Sequence, residues 1–314
     1  MDSHRSLAGQ LYFIGAFSLA GTSVVAARYV SGSIGVFTIA AVSLLFAALA
    51  LLPICARRLT ATFRAMTLRT AIEILLQAIF GMLLFRFCLF NGISRTSSLE
   101  AGVLTGATPA ITALLAWILL KEPLRLNTLF GLLATVTGVV LVQGVAGLRG
   151  GLQPEHLFGN LLVLGTAASE SIFNILSRTA VLNGDNQERP LDPLTQTTLV
   201  TMTALLLCCI PAAFEQPIVR LSTIGFVGWS ALLWLGVFVT ALAYICWYSG
   251  IKRCSAFTAA AFSGFMPLTS MILSTVLLRE QTDLFQWIGG ACVILGMLLI
   301  GARAQQRKLP VTNP

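Results

Sequence analysis

Charge is what this chain of 314 residues has least of: 10% of its residues are charged, while 56% are hydrophobic. A soluble chain of that composition would lack the polar surface to cover itself, so a water-soluble globule is excluded and a polytopic membrane protein is implied. Histidine is nearly missing, with only His4 and His156, and the seven cysteines include no Cys-x-x-Cys pair. The sequence therefore offers no metal-ligand spacing, and its cysteines read as small apolar fillers. HExxH, GxSxG and GxxxxGK[ST] patterns are all lacking, and Ser249-Gly250-Ile251-Lys252 fits SxxK only by chance at a helix end. No catalytic residue, metal, cofactor or enzyme activity is expected, and without a phosphate cradle any uphill work must draw on an ion gradient. The 20 Lys and Arg outnumber the 12 Asp and Glu, but they sit between apolar runs instead of along one helix. That placement speaks against a nucleic-acid partner and for a positive-inside membrane topology.

What is present is a repeat. Gly92, Arg95, Ser97, Gly106, Pro109, Glu122, Gly131 and Gly138 recur 158 positions later as Gly250, Arg253, Ser255, Gly264, Pro267, Glu280, Gly289 and Gly296. Pro53 and Phe80 match Pro211 and Phe238 at the same offset, and Leu11, Gly15 and Arg28 match Leu161, Gly165 and Arg178 at an offset of 150. Aligned Gly, Pro, Arg and Glu at a fixed offset mark an internal duplication, with the eight-residue difference absorbed by the polar loop Asn183 to Asp192.

Ten apolar runs of about 20 residues fit a hydrocarbon core of about 30 Å: 10–30, 34–54, 71–93, 97–119, 125–146, 157–180, 194–214, 224–249, 255–278 and 283–302. The first resembles a signal peptide, with Ala26-Ala27 as a poor cleavage site, but its match to the sixth run argues that it is retained. With a cytoplasmic N-terminus, 14 Lys and Arg lie inside and 5 outside, leaving Arg86 within a run. Both termini are thus expected in the cytoplasm. The expected fold is an all-α membrane protein of ten transmembrane helices, with residues 1–150 forming one five-helix repeat and 151–314 the other. Because five is odd, the halves lie inverted, an arrangement that exposes one midplane site alternately to each face.

Ionisable groups at membrane depth are functional candidates because burying them is costly. Thr166, Glu170, Asn174 and Ser177 fall on one face of the sixth run, which should line a wet cavity. Their counterparts in the first run are Ala16, Ala20, Val24 and Ala27, so only one half carries the polar face. Glu170 either holds a cationic group of a substrate, carries a proton, or makes an interhelical contact. Arg86, roughly 10 Å from the outer end of its run, either pairs with Glu100 or presents its guanidinium to a substrate carboxylate. Its repeat counterpart is Tyr244, followed by Trp247 and Tyr248, and these with Gln77 suit a small amphipathic or zwitterionic cargo. Structural roles are expected for Pro109 and Pro267 as mid-helix bends, and for Glu122 and Glu280 as caps in tight hairpin turns. Glu73 should pair with Arg69 one turn away. Gly102-x-x-x-Gly106 permits close packing within the bundle, or a homodimer face.

Two five-helix repeats, each with a small-residue helix holding a Pro (Ala101-Gly106-Pro109 and Ala259-Gly264-Pro267), then a Glu turn and a Gly-rich last helix, resemble the drug/metabolite transporter superfamily. Within it they are most similar to the EamA branch of bacterial inner-membrane metabolite exporters, over residues 10 to 302. The resemblance implies a basket in which helices 1, 3, 4, 6, 8 and 9 surround a cavity while 5 and 10 are peripheral, with amino acids or related compounds as cargo. The related small multidrug resistance group uses a Glu in its first helix, where this chain has Ala20. The expected function is secondary-active export of a small polar metabolite by alternating access in the inner membrane. The alternatives are a drug or cation–proton antiporter and a non-transporting scaffold or sensor.

Overall fold

Lipid offers no water to a backbone, so a chain buried in it must pair its amides and carbonyls internally, which helices do. The computed structural model describes residues 2–64, 66–120, 126–150, 154–184, 191–253, 259, 262–280 and 283–301. Its helices are α1 Asp2–Arg28, α2 Val36–Arg64, α3 Leu68–Ile93, α4 Ser98–Thr105, α5 Thr108–Leu120, α6 Leu126–Gly150, α7 Pro154–Gly184, α8 Pro193–Ala213, the short α9 Pro217–Leu221, α10 Phe226–Ile251, α11 Phe265–Leu277 and α12 Leu284–Gly301. Among the described residues, five helices are long and apolar enough to cross a membrane: Leu7–Arg28, Val36–Leu59, Leu68–Ile93, Pro193–Ala213 and Phe226–Ile251. Large apolar side chains such as Leu49, Leu161, Leu206 and Leu295 are exposed on the outside of the bundle, as lipid-facing positions require. Glu122 and the ring of Pro109 lie outside the described residues.

The two prolines do not bend continuous helices. The fourth run is divided into α4 and α5 by Gly106 and Ala107, whose amides turn back to the carbonyls of Val103 and Leu104 at 2.9 and 3.0 Å. Pro109 is the second residue of α5, and Pro267 is the third residue of α11, which follows a turn at Ser263-Gly264. In a first turn the missing proline N–H has no carbonyl to serve, so these residues start helices instead of kinking them. α3 and α10 stay continuous but widen into π turns at Ile79–Leu84 and Leu235–Leu242. These wide turns fall at equivalent places in the repeat, around Phe80 and Phe238.

Close approaches recur in matched pairs. Gly165 of α7 lies against Cys88 of α3, and Gly15 of α1 against Cys246 of α10. Gly92 admits Val163 just as Gly250 admits Phe13. The corresponding Arg95 and Arg253 each lie over a ring, Phe158 at 5.7 Å and Tyr12 at 5.0 Å from the ring centre, but the two rings stand four residues apart in the alignment of the halves. α6 and α12 cross where Gly138 meets the Gly289 carbonyl and Gly296 meets the Gly131 carbonyl. Gly102 and Gly106, the candidate small-residue face, pack on Ser270 of α11 and on Val293 and Met297 of α12.

Polar groups at the helix ends tie the bundle together. Glu215 reaches across to the first turn of α2, accepting from the amides of Phe37 and Thr38 at 3.2 and 2.7 Å and from the Thr38 hydroxyl at 2.8 Å. Glu280 accepts the Ser98 amide at 3.1 Å, so it serves the first turn of α4. Asp192 caps α8 through Thr195 and pairs with Arg58 at 3.2 Å. Burial raises the Asp192 carboxyl, but hydrogen bonds from Thr195 and the Arg58 charge outweigh it and leave the group below its ordinary range. The Arg69–Glu73 pair forms at 3.2 Å.

A Cβ on Gly138 or Gly296 would press into a backbone carbonyl. Gly138→Val and Gly296→Val are each expected to destabilise the detergent-solubilised protein by about 1–3 kcal/mol, seen as a lower thermal midpoint. Gly225→Ala, where a Cβ meets nothing within 4 Å, should leave the midpoint unchanged. Asp192→Ala is expected to cost about 1 kcal/mol at neutral pH. Because the folded pKa is the lower one, the charge-dependent part of that cost is complete above the unfolded value and vanishes as the pH falls through the folded one. Equilibrium unfolding of both proteins between neutral and acid pH checks the sign.

Candidate functional site

The π turns and the break between α4 and α5 loosen the backbone ladder at mid-bundle, and the carbonyls there are met by side chains. Phe80 of the first π turn accepts the Ser169 hydroxyl at 2.7 Å, and Gly81 accepts the Tyr244 phenol at 2.5 Å. In the second π turn the Leu235 carbonyl accepts the Thr240 hydroxyl at 2.6 Å. At the α4–α5 break, the Thr108 carbonyl accepts the Ser171 hydroxyl at 2.9 Å.

Glu170 sits beside that break. Its carboxylate accepts the hydroxyl of Thr108, the first residue of α5, at 2.9 Å. The carboxylate is thus held at the start of a half-helix, where free amides and the helix dipole favour negative charge. On the same helix Thr166 is buried and turned to its own Leu162 carbonyl at 3.3 Å, while Asn174 is half-buried one turn beyond Glu170. The Thr166 hydroxyl is therefore spent on its own helix.

Arg86 is 6% exposed, and its guanidinium donates to the Ser43 hydroxyl at 2.6 Å and to the Thr240 hydroxyl. Of the two alternatives for Arg86, the pair with Glu100 is not formed. Glu100 lies in the first turn of α4 and is engaged by Thr96 and Asn160, whereas Arg86 lies beside the π turn of α10. Among the described residues the ion pairs are Arg58–Asp192 and Arg69–Glu73, so the Arg86 cation is buried with hydroxyls alone. Tyr244 lies within electrostatic range of both Arg86 and Glu170.

An aromatic wall adjoins them. Phe173 of α7 lies 5.5 Å from Tyr244, 6.5 Å from Trp247 and 6.3 Å from Tyr248, measured between ring centres. Phe13 and Phe17 of α1 each lie 5.8 Å from Trp247. Gln77 is fully buried, its carbonyl accepting from Tyr248 at 2.7 Å and from Gln196 at 3.1 Å. The Gln77 Nε2 and Trp247 Nε1 donors are buried with no hydrogen-bond partner among the described residues. The structure thus groups Arg86, Tyr244, Trp247, Gln77 and Glu170 around α3, α7 and α10. It adds Ser43, Thr108, Phe173, Gln196, Thr240 and Tyr248, and sets Glu100 and Glu280 at a helix end instead.

Compared with known proteins, the chain matches the model of the EamA-like transporter family over residues 7–143 and 157–302. It is 31% identical over 294 residues to the uncharacterized transporter YetK of Bacillus subtilis, covering 93% of this chain and 86% of that one. It is 25% identical over 224 residues to the aromatic amino acid exporter YddG of Ancylobacter novellus, covering 71% and 72%. A crystal structure superimposes with a TM-score of 0.66 at 19% identity, over 96% of this chain and 99% of the other, a likeness of fold.

The placement of Arg86 is testable by double-mutant cycles. Arg86→Ala and Thr240→Ala, which remove two ends of one charged hydrogen bond, should couple by about 1.5–3 kcal/mol. Arg86→Ala and Glu100→Ala should add to within about 0.5 kcal/mol. Unfolding free energies of the three single and two double variants decide between the two arrangements.

Proposed function

The chain belongs to the EamA-like transporter family, and from that we propose that it is a secondary exporter of small zwitterionic metabolites, amino acids with an apolar or aromatic side chain among them. The reading rests on one observation above all: a buried cation, Arg86, without a carboxylate partner among the described residues, and a carboxylate, Glu170, both within range of Tyr244. A cargo with both a carboxylate and an ammonium complements the pair. Arg86 turns its guanidinium from Ser43 and Thr240 toward the cargo carboxylate, Glu170 takes the ammonium, and Asn174 beside it offers a further polar contact. The Phe173, Tyr244 and Trp247 wall receives the side chain. Among the described residues, Gln77 Nε2 and Trp247 Nε1 are donors without an acceptor. The aromatic amino acid export named for the relative at 25% identity is in keeping with such a wall.

In this reading α4 and α5 form one span, ten spans cross the inner membrane, and residues 1–150 and 151–314 are inverted repeats with both termini in the cytoplasm. The matched pairs Gly165–Cys88 with Gly15–Cys246, and Gly92–Val163 with Gly250–Phe13, support two equivalent halves. Contacts between connections expected on one face support their alternation between two sides. Ser98 meets Glu280 and Thr38 meets Glu215 at one end, and Arg58 meets Asp192 at the other.

Purified protein in liposomes should exchange labelled phenylalanine or leucine for unlabelled. Arg86→Ala should slow that exchange by about 10- to 100-fold, the worth of a charged hydrogen bond, and Glu170→Gln should weaken recognition of the ammonium comparably. Flux of an amine without a carboxylate, indifferent to Arg86→Ala, would favour the cation–proton antiporter. No flux across a broad panel would favour a scaffold.

A further inference from the structure

The connection between α8 and α10 carries more apolar surface than a link in water should. Phe214, Ile218 and Phe226 are 85%, 85% and 87% exposed, and no other large apolar side chain among the described residues is so bare. Val219 between them is exposed as well. The helix in this link, α9, has five residues, about 8 Å at 1.5 Å per residue. It is far too short to cross a hydrocarbon core of about 30 Å.

The backbone of the link is fixed by its own bonds. The amides of Phe214 and Glu215 turn back to the carbonyls of Pro211 and Ala212 at 3.1 and 3.0 Å. Gln216 takes a left-handed φ of 53°, and Pro217 starts α9 directly after it. The Thr223 hydroxyl donates to the Arg220 carbonyl at 2.7 Å. Glu215 reaches the first turn of α2 through the three contacts described above. Leu221 and Ile224 pack inward against the core, so the link spends those two apolar side chains on the bundle and holds Phe214, Ile218, Val219 and Phe226 out.

Continuity shows what covers them. Leu206, Ile210 and Phe214 recur every four residues as one exposed stripe along α8. The first two belong to a membrane-capable span that ends at Ala213, and the stripe runs off its end into the link. On the far side, Phe226 and Val227 are exposed at the start of the next such span, with Trp229 behind them. The apolar band is thus unbroken from one lipid-facing helix to the other, with a tryptophan at the level where that residue favours the membrane–water boundary.

The other half of the chain has no such band at the matching place. At the offset of 158, Phe214, Ile218 and Val219 answer to Ala56, Thr60 and Ala61. Arg57, Arg58 and Arg64 stand where the second half has Glu215, Gln216 and Ser222. The shared plan of the repeat therefore does not demand large apolar side chains here. One link is basic and the other is apolar.

We propose that the link from Phe214 to Phe226 lies in the membrane–water boundary as an interfacial anchor, an inference that goes beyond the transporter reading and holds whatever the cargo. Phe214, Ile218, Val219 and Phe226 enter the acyl boundary, as the apolar face of an interfacial segment does. The exposed Arg220 lays its aliphatic stem on that surface and turns its guanidinium to the phospholipid phosphates. Through Glu215 the anchor also fixes the depth at which α2 begins. The basic link between α2 and α3 stays in water on the opposite side.

Spin labels test the depth. Phe214→Cys, Ile218→Cys and Phe226→Cys are each labelled in a Cys209→Ser background whose residual signal is subtracted, and Leu206→Cys marks the lipid-facing span. The protein is held at high dilution in liposomes of phosphatidylcholine and phosphatidylglycerol. The three link labels should be relaxed more by oxygen than by a water-soluble nickel chelate, at a depth of about 5–10 Å and shallower than the label at Leu206. Arg220→Glu should shift the Ile218 label toward water, because like charge repels the phosphates; an unchanged depth removes Arg220 from the anchor. Link labels relaxed more by nickel overturn the anchor, since the link then stands in water. Labels shielded from both reagents overturn it too, and spin–spin broadening would then identify the cover as a second copy of the chain.

Discussion

The whole arrangement depends on one constraint: a backbone group released from its helix inside an apolar bundle must find a partner within the protein. The chain releases such groups at the π turns of α3 and α10 and at the break between α4 and α5. Each release is answered by a hydroxyl or phenol, from a neighbouring helix at the first π turn and the break, and from the same helix at the second π turn. Ser169 and Tyr244 serve one π turn, Thr240 serves the other, and Ser171 serves the break. The charged groups attach to the same hydroxyl framework, Arg86 through Thr240 and Ser43, and Glu170 through Thr108. The site is therefore the by-product of repairing irregular helices, which fixes where polar chemistry can exist in so apolar a chain.

The two halves solve this repair differently. Where α5 begins, Ser171 donates to the Thr108 carbonyl; at the matching place, Gly21 of α1 sits directly against the Met266 carbonyl. One half spends a hydroxyl and places an acid one residue away, and the other closes the gap by bringing backbones together. Glu170 answers to Ala20 in the same way. Matched backbones with unmatched side chains give one cluster of charge instead of two.

Much of the fold was legible because it is written in residues with few substitutes. Gly138 and Gly296 mark a crossing too close for a side chain, and the Gly-Pro spacing of both halves marks where helices start. The prolines themselves misled: a Pro inside a long apolar run reads as a bend, and only the turn at Gly106-Ala107 shows that the helix had already ended. Depth along a helix marks Arg86 as buried and Glu170 as at least half-buried, but depth says nothing of azimuth, so it leaves a pairing of Arg86 with Glu100 open that the structure does not form. Ser43, Thr108 and Thr240 left no signal, because a hydroxyl in an apolar helix ordinarily bonds its own preceding turn. Their roles come from what lies across from them.

Where α6 and α12 cross, each glycine admits the other helix's carbonyl. Sliding one helix along the other by a single residue, about 1.5 Å, would put a side chain where only a hydrogen fits. The crossing therefore resists lengthwise travel of either helix past the other. α6 and α12 are therefore held together as one unit along their length.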